Sequence, residues 1–198
     1  EVMQERQVTI GEESFKLTPP FFVMATQNPV EQEGVYQLPE AQLDRFMMKL
    51  NIGYNTHEEE LEIARRIANK RSEKIEAVVS IDEIEALRKA VADVHIDEEV
   101  ESYIIELVHA TRHPEKYGLS EMKDHIQFGA SPRVSIDMFK AVKAMAYLRG
   151  KDYVTPVDIA YIAKDMMRHR IVLTYEAEAE GITTDQIIEN VLKAVPIP

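Results

Sequence analysis

The sequence predicts a small α/β segment, residues 1–54, followed by an all-α domain, residues 55–198. Two patterns indicate the first part: an alternation of apolar and polar residues that is typical of a β-hairpin, and short apolar runs that are typical of strands buried on both faces. The second part is indicated by repeated helix-start signals, in which a capping residue precedes apolar residues at helical spacing. We therefore expect the last β-elements of an α/β core with a helical domain attached.

The α/β segment contains four candidate strands after residues 1–6, which are typical of the end of a helix. Gln7–Ile10 and residues 14–17 alternate in the strand manner around a turn, and together they predict a β-hairpin. Residues 21–25 are too few for a helix and too apolar for a surface strand, so they predict a buried strand, and residues 46–52 predict another. Because the chain opens inside a helix-like stretch, we expect it to be part of a longer protein.

Helix-start signals divide the second part into about six helices. Thr56 and Ser80 each have a glutamate three residues later, which is the spacing of a capping box, and Asp97 can cap a third helix. Ser131 and Thr155 are each followed by a proline, a combination that is typical of the first turn of a helix.

The remaining segments of the second part carry weaker signals. Thr183 begins a last short helix, which Pro196 stops. Residues 113–129 are polar and predict a loop, whereas residues 171–173 predict an extended segment. Residues 175–181 alternate Glu and Ala without charge partners, which predicts a solvated face.

Composition excludes several classes of function. The formal net charge of −12 argues against nucleic acid as the main partner, because phosphate binding needs clustered Lys and Arg. The sequence has no cysteine, which excludes disulfides, thiolate catalysis and cysteine-based zinc sites and fits a reducing compartment. No run reaches the roughly 18 apolar residues that a membrane-spanning helix needs. We expect a cytoplasmic protein without a membrane span.

Asn28 is the first candidate site residue. It follows the predicted buried strand, and Pro29 then stops regular structure. In open parallel sheets, ligands bind just beyond the carboxyl ends of the strands, where an asparagine can orient a water or a phosphate. Asparagine at a strand end is also a common turn-former, so this residue alone leaves both interpretations open.

Arg45 and Arg133 are candidate anion ligands. Arg45 follows Asp44, so it either forms a local ion pair or presents its planar guanidinium to an anion. Arg133 lies in the first turn of the helix that Ser131 starts, where free backbone N–H groups and the helix dipole already favour an anion. A cation in that turn is explained most simply by an anion that it helps to bind.

Two further clusters have simpler structural interpretations. Glu106, His109 and His113 share one helix face and could in principle bind zinc, but Pro114 indicates that the helix ends there, and the acid adjacent to a metalloprotease histidine is missing. The basic run at residues 168–170 is interpreted as a charge complement to a helix C-terminus. The sequence contains no Gly-rich phosphate loop and no Gly-Lys-Ser or Gly-Lys-Thr.

Several segments, taken in chain order, match one known arrangement. They are Met3 to Thr9, the segment after a Walker B strand; Phe22 to Pro29, a sensor 1 strand; Glu33-Gly34 and Leu38 to Phe46, an arginine-finger segment; Gly129 to Arg133, a sensor 2 helix start; and Tyr153-Val154, Asp158 and His169-Arg170-Ile171, in the lid helices. Nearly the whole chain thus resembles the MoxR group of AAA+ ATPases. The resemblance implies the C-terminal portion of such a protein: the last strands and a β-hairpin of the P-loop AAA+ core, residues 1–54, and the helical lid domain, residues 55–198.

The resemblance also implies roles for the candidate residues. Asn28 would be sensor 1, which helps to position the attacking water, and Arg133 would be sensor 2, which places a lid charge near the phosphates. Arg45 would be the arginine finger, projected into the nucleotide site of a neighbouring subunit. A finger that acts on a neighbour implies a ring, expected to be a homo-hexamer. Whether Arg133 acts on its own subunit's nucleotide or on a neighbour's stays open.

Cofactors and partners follow from the same resemblance. ATP and Mg²⁺ are implied, but the Walker A lysine and the Walker B acids would lie before Glu1, so this chain alone is expected to be inactive. The clients of the group are proteins, often with von Willebrand factor A domains. A second hypothesis stays open beside the ATPase: a non-catalytic helical module that binds a protein partner without nucleotide.

Overall fold

The computed structural model describes residues 2–28, 38–68 and 74–198. Within these ranges the strands form two separate antiparallel pairs, β1–β2 and β3–β4. The strands are β1 (Gln7–Ile10), β2 (Glu13–Lys16), β3 (Ile126–Phe128) and β4 (Val172–Leu173). The α-helices are α1 (Val2–Glu5), α2 (Glu40–Leu43), α3 (His57–Ala68), α4 (Ile81–Ala92), α5 (Glu98–Arg112), α6 (Pro132–Leu148), α7 (Pro156–Met167), α8 (Tyr175–Ala179) and α9 (Thr184–Ala194). None of the described helices combines the length and apolar character needed to cross a bilayer.

The predicted β-hairpin is confirmed. β1 and β2 pair antiparallel, with Gln7 opposite Lys16 and Ile10 opposite Glu13. Gly11 has φ +65° in the connecting turn, a conformation that glycine adopts without steric cost. The hairpin follows directly on α1, as the helix-like opening of the sequence predicted.

The two predicted buried strands are wrong. Residues 21–25 and 46–52 have no strand partner among the described residues. Phe22 and Met24 are 86% and 77% exposed, because no described sheet flanks this apolar run. The backbone N–H of Lys49 instead donates to the carbonyl oxygen of Asp165 in α7 at 2.8 Å, so the second segment contacts the helical domain.

The helix starts follow the capping signals. At Ser80 and Thr183 the side chain accepts from a backbone N–H three residues on, and the residue there returns the bond, as a capping box requires. Thr56 and Glu59 exchange the same two bonds, at 2.7 and 3.3 Å. Asp97 is an exception, since its side chain caps no helix and contacts His95 at 2.9 Å.

The main hydrophobic core lies between α5, α6, α7 and α9, which pack against one another. Each of these helices contributes fully buried aliphatic side chains, among them Ile104, Leu107, Met138, Val142, Ile159, Met166, Ile187 and Ile188. α4 contacts α6, and Lys143 of α6 donates to the carbonyl oxygen of Ala92 at the end of α4. α3 has no buried residue, so the apolar face predicted for it is exposed.

Two polar segments are more ordered than the sequence predicted. Residues 113–129 contain two 3₁₀ helices, Pro114–Tyr117 and Ser120–Asp124, and then β3. β3 pairs with β4, which confirms the extended segment at residues 171–173. Residues 175–181 contain α8, and Ala177 is buried there, so this is not only a solvated face.

Gly129 and Ala130 fix the start of α6 against α5. A Cβ atom on Gly129 would lie 2.5 Å from the carbonyl oxygen of Thr111, so only glycine allows this approach. The backbone N–H of Ala130 donates to Thr111 Oγ1 at 2.9 Å, and the carbonyl oxygen of Ala130 accepts from Arg112 Nε at 2.6 Å. These contacts hold the residues directly before Ser131 and Arg133.

Asp158 is a buried carboxylate that closes the capping box of α7. It is fully buried and accepts from Thr155 N and Oγ1 at 3.0 and 2.6 Å. Arg149 and Lys151 form ion pairs with it at 2.8 and 3.2 Å. Burial works against ionisation of Asp158, but the bonds from Thr155, Lys151 and Arg149 outweigh it, so its pKa lies below the usual value.

We expect Asp158→Asn to lower the free energy of unfolding by about 2–4 kcal/mol, because two cations then lose their buried partner. Urea unfolding measures this change. Glu83→Gln is the matched control, since Glu83 holds the same position in the exposed capping box of α4. Equal losses in the two variants would show that burial of Asp158 adds nothing to the cap.

Candidate functional site

The side chain of Asp44 joins the residues around the predicted arginine finger to the helical domain. Asp44 caps the C-terminus of α2. Its Oδ1 accepts from Ser131 Oγ at 2.9 Å, and its Oδ2 accepts from Arg133 Nη1 at 2.9 Å. Arg170 Nε lies 3.3 Å from Oδ1. One carboxylate therefore contacts three side chains that come from two different parts of the helical domain.

Arg170 is the buried member of this cluster. Its side chain is 0% exposed, and its Nη2 donates to the carbonyl oxygens of Asp44 and Phe46 at 3.0 and 2.8 Å. The same nitrogen donates to Asp137 Oδ2 of α6 at 2.6 Å. A buried guanidinium is stable only when it is paired and hydrogen-bonded, so Arg170 ties residues 44–46 to α6.

Arg168 and His169 extend this contact along the chain. Arg168 Nη1 donates to the carbonyl oxygen of Lys49 at 2.6 Å, while its other nitrogens bind Asp185 of α9. His169 Nε2 lies 2.8 Å from the carbonyl oxygen of Phe46. The basic run at residues 168–170 is therefore not a charge complement to the end of α7, as predicted, but the dock for residues 44–49.

Arg133 lies in the first turn of α6, as the sequence predicted. Ser131 is the N-cap, and its side chain accepts from the backbone N–H of Arg133. The side chain of Arg133 is 40% exposed, and Asp44 is its only side-chain partner within the described residues. A half-exposed ion pair of this kind contributes little to stability, so another anion can replace Asp44 at low cost.

Arg45 follows Asp44 at the end of α2 and is exposed. Its backbone N–H donates to the carbonyl oxygen of Gln42 at 3.2 Å, which fixes the backbone of this turn. No hydrogen bond or ion pair of its guanidinium occurs within residues 2–28, 38–68 and 74–198. The local pair with Asp44 is thus not formed, because Asp44 is bound to Arg133 and Arg170.

Asn28 is exposed, and residues 21–28 form neither helix nor strand. The strand that was expected to present it is not formed. The structure brings Arg133 into contact with Asp44, the residue directly before Arg45. Pro29 and Glu33-Gly34, which belong to the predicted site segments, lie outside the described residues.

Within the described ranges, no group of three or more metal-ligand side chains is placed to hold a metal ion. Glu106, considered above for zinc, accepts a hydrogen bond from the hydroxyl of Tyr117. Burial, together with this bond and the charge of Glu106, raises the pKa of Tyr117 to about 12. His113 Nδ1 lies 3.8 Å from Glu115 Oε1.

Two family models match this chain. Residues 1–48 match the family described as "ATPase family associated with various cellular activities (AAA)", and residues 120–191 match the one described as "AAA lid domain". A MoxR chaperone, Chaperone MoxR1 of Mycobacterium tuberculosis, is 43% identical over the whole chain, which covers 52% of that protein. Along its whole length the chain is therefore similar to the MoxR-type AAA+ ATPases.

Other relatives agree with this assignment. Protein YeaC of Bacillus subtilis is 42% identical, with 59% of its length covered, and Protein MoxR of Methylorubrum extorquens is 29% identical, with 61% covered. A crystal structure of a candidate ATPase from Cytophaga hutchinsonii superimposes with a TM-score of 0.94 at 50% identity, covering all of this chain and 60% of that one. This chain thus spans about half to three-fifths of the length of these relatives.

The match to the Cytophaga hutchinsonii structure also accounts for the fold. A β-hairpin and connecting segments of the AAA+ core precede a helical lid, and this order agrees with the predicted fold class. What the sequence missed is the docking role of residues 168–170. A basic run directly after a helix does not indicate this role, because its docking partners are three carbonyl oxygens and the carboxylate of Asp44, all more than a hundred residues away.

Docking at His169 is expected to weaken as pH falls. Burial, with the charges of Arg170 and Lys49, lowers the pKa of His169, while the bond to the Phe46 carbonyl and the charge of Asp44 act in the opposite direction. Nδ1 is buried without a partner among the described residues, so a second proton has no acceptor there.

The unfolded chain binds this proton first, at a pKa near 6.5, so stability is complete above that pH and decreases below it. We expect the loss of unfolding free energy between about pH 7.5 and pH 5.5 to be smaller in His169→Gln than in the wild type. Glutamine keeps a donor for the Phe46 carbonyl but does not titrate. Urea unfolding at the two pH values measures the difference, and equal losses in both proteins would contradict the assignment to His169.

Proposed function

We propose that this chain supplies three nucleotide-sensing residues of a MoxR-type AAA+ ATPase that uses ATP hydrolysis to remodel or mature partner proteins. One observation carries the proposal: Arg133 is bound to Asp44, and Asp44 directly precedes Arg45, so two exposed guanidinium groups are held on one connected structure. Exposed arginines suit phosphate oxygens, which their planar donors bind in pairs.

Arg45 acts as the arginine finger in this proposal. Phosphoryl transfer develops charge on the transferred phosphoryl group, and a positioned guanidinium stabilises that charge. The described residues offer its guanidinium no partner, which leaves it available to a nucleotide on a neighbouring subunit. A finger that serves a neighbour requires a ring, and we propose a homo-hexamer.

Asn28 acts as sensor 1 and Arg133 as sensor 2. The side-chain amide of Asn28 would orient the water that attacks the γ-phosphate, so its contribution is positional. Arg133 would bind the phosphates from the first turn of α6, where its charge adds to the free N–H groups of the helix. Because α6 belongs to the main core of the helical domain, a contact between Arg133 and ATP would move the lid relative to the core domain.

ATP hydrolysis of this kind also uses Mg²⁺, which offsets phosphate charge. The described residues include no set of side chains fit to hold it, so we derive no step through Mg²⁺. The sequence also has no Gly-Lys-Ser or Gly-Lys-Thr. We propose that the Walker A lysine and the Mg²⁺ ligands come from a segment outside these 198 residues, and that this chain alone does not hydrolyse ATP.

The division of the chain and its partners are part of the same proposal. Residues 1–54 would belong to the core domain and residues 55–198 to the lid, which is supported by the two matched ranges, 1–48 and 120–191. The clients would be proteins, which the name "chaperone" of the Mycobacterium tuberculosis relative favours. We propose that they include proteins with von Willebrand factor A domains. The net charge of −12 disfavours nucleic acid, and we propose a cytoplasmic location.

In the full-length protein, Arg45→Ala is expected to lower kcat for ATP hydrolysis by about 10³-fold or more while ATP binding is retained, because the finger serves the neighbouring subunit. Steady-state ATPase assays and equilibrium binding of a fluorescent ATP analogue measure the two effects. Arg88→Ala is the control, since Arg88 is an exposed arginine on α4 that pairs only locally with Glu85. Wild-type turnover in Arg45→Ala would rule out the finger assignment.

Asn28→Ala is expected to lower kcat by about 10²-fold with little change in ATP affinity, because it removes one group that positions the water. Gln27→Ala is the matched control, as Gln27 is the preceding exposed amide. Single-turnover hydrolysis separates the chemical step from product release. If both variants lost the same activity, the effect would come from the loop as a whole and not from Asn28.

A further inference from the structure

The three polar contacts of Asp44 with the helical domain differ in how easily they can be broken. Arg170 is fully buried and also binds two carbonyl oxygens and Asp137. Breaking its contact with residues 44–46 would take partners away from a buried positive charge. Ser131 donates a neutral hydrogen bond from the helix cap. Arg133 is 40% exposed and has no other side-chain partner among the described residues. Arg133 is therefore the contact that can be exchanged.

Asp44 and a nucleotide would compete for the same guanidinium. Arg133 Nη1 donates to Asp44 Oδ2 at 2.9 Å, so one of its N–H donors is occupied and the guanidinium is held beside Asp44 while this bond lasts. A triphosphate carries several negative charges and can accept two parallel bonds, whereas this carboxylate offers Arg133 one oxygen. Its other oxygen is already occupied by Ser131 and lies near Arg170.

We infer that Asp44 is a positioning residue that holds Arg133 away from the nucleotide and releases it when ATP binds. The inference rests on the proposed function, because it takes Arg133 as the phosphate-binding arginine of the lid. When Arg133 leaves, residues 44–46 keep their contacts with Ser131, Arg170 and His169 but lose one ion pair. The occupancy of one nucleotide site would thereby change how firmly the turn that carries Arg45 is held.

The direction in which nucleotide affinity changes when Asp44 is replaced distinguishes this role from a purely structural one. A residue that only supports the fold would, when replaced, weaken nucleotide binding or leave it unchanged. A residue that competes for Arg133 would, when replaced, tighten it. If Asp44 holds Arg133 in about two-thirds of the molecules, only about one-third are competent to bind, and its removal tightens binding about threefold.

The test measures the dissociation constant of a fluorescent ATP analogue for the full-length protein. Asp44→Asn is expected to bind the analogue at least about threefold more tightly than the wild type. In an Arg133→Gln background, which by itself should weaken binding, Asp44→Asn is expected to have no effect on affinity. Unchanged or weaker binding in Asp44→Asn alone would overturn the inference.

Asp137→Asn is the matched control. Asp137 binds Arg170 but not Arg133, and it is largely buried in the same cluster. The substitution weakens the contact between Arg170 and residues 44–46 without releasing Arg133, so it should not tighten nucleotide binding. Equal tightening in Asp137→Asn and Asp44→Asn would mean that general loosening explains the effect, and the competition would be wrong.

A second measurement does not depend on the folding of Asp44→Asn. In Arg45→Ala, which cannot engage a neighbouring site, a non-hydrolysable ATP analogue is expected to accelerate hydrogen exchange at the backbone amides of Asp44 and Phe46. These amides donate to the carbonyl oxygens of Glu40 and Leu43. Slower or unchanged exchange would overturn the release step.

Failure of the proposed function has a different signature. If the wild-type full-length protein neither bound nor hydrolysed ATP, the function and the inference would both fall. If it did both, and Arg133→Gln weakened binding but Asp44→Asn did not tighten it, only the inference would fall.

Discussion

The burial of the Arg170 guanidinium is the constraint on which the arrangement of the site depends. A guanidinium that is fully removed from water must be paired, and breaking such a pair costs about 3–5 kcal/mol. Arg170 obtains its partners from Asp137 of α6 and from the backbone and side chain of residues 44–46. Asp137 pairs with this charge from within the helical domain, and residues 44–46 supply its other partners, so their docking completes the set of contacts around the buried guanidinium.

This docking substitutes for the stability that α2 lacks. A helix of four residues cannot form by itself, because the cost of nucleation exceeds what so few hydrogen bonds return. Residues 44–49 are held instead from outside, by Arg170 and His169 at Phe46 and by Arg168 at Lys49. The position of Arg45 is thus set by the packing of the MoxR-type lid and not by local helix propensity.

The difference between local signals and contacts from distant residues also explains what the sequence could predict. The capping box at Ser80, the helix start at Thr183, the proline after Ser131 and the β-hairpin all depend on residues within a few positions of one another, and the structure confirms them. The strand predicted at residues 21–25 depends on hydrogen-bonded neighbours, which a periodicity in one segment cannot supply. The pairing of Asp44 with Arg170 joins residues 126 positions apart, and no local pattern encodes it.

Exposure separates the arginines of this site into two kinds. Arg168 and Arg170 are 9% and 0% exposed, and each binds several groups, so neither can turn towards a ligand without leaving carboxylates and carbonyl oxygens unpaired. Arg133 is exposed and singly paired, and Arg45 is exposed without a partner in the described ranges. A phosphate can therefore recruit only the second kind. Because Asp44 contacts both Arg133 and Arg170, the buried arginine holds in place the carboxylate that pairs with the exposed one.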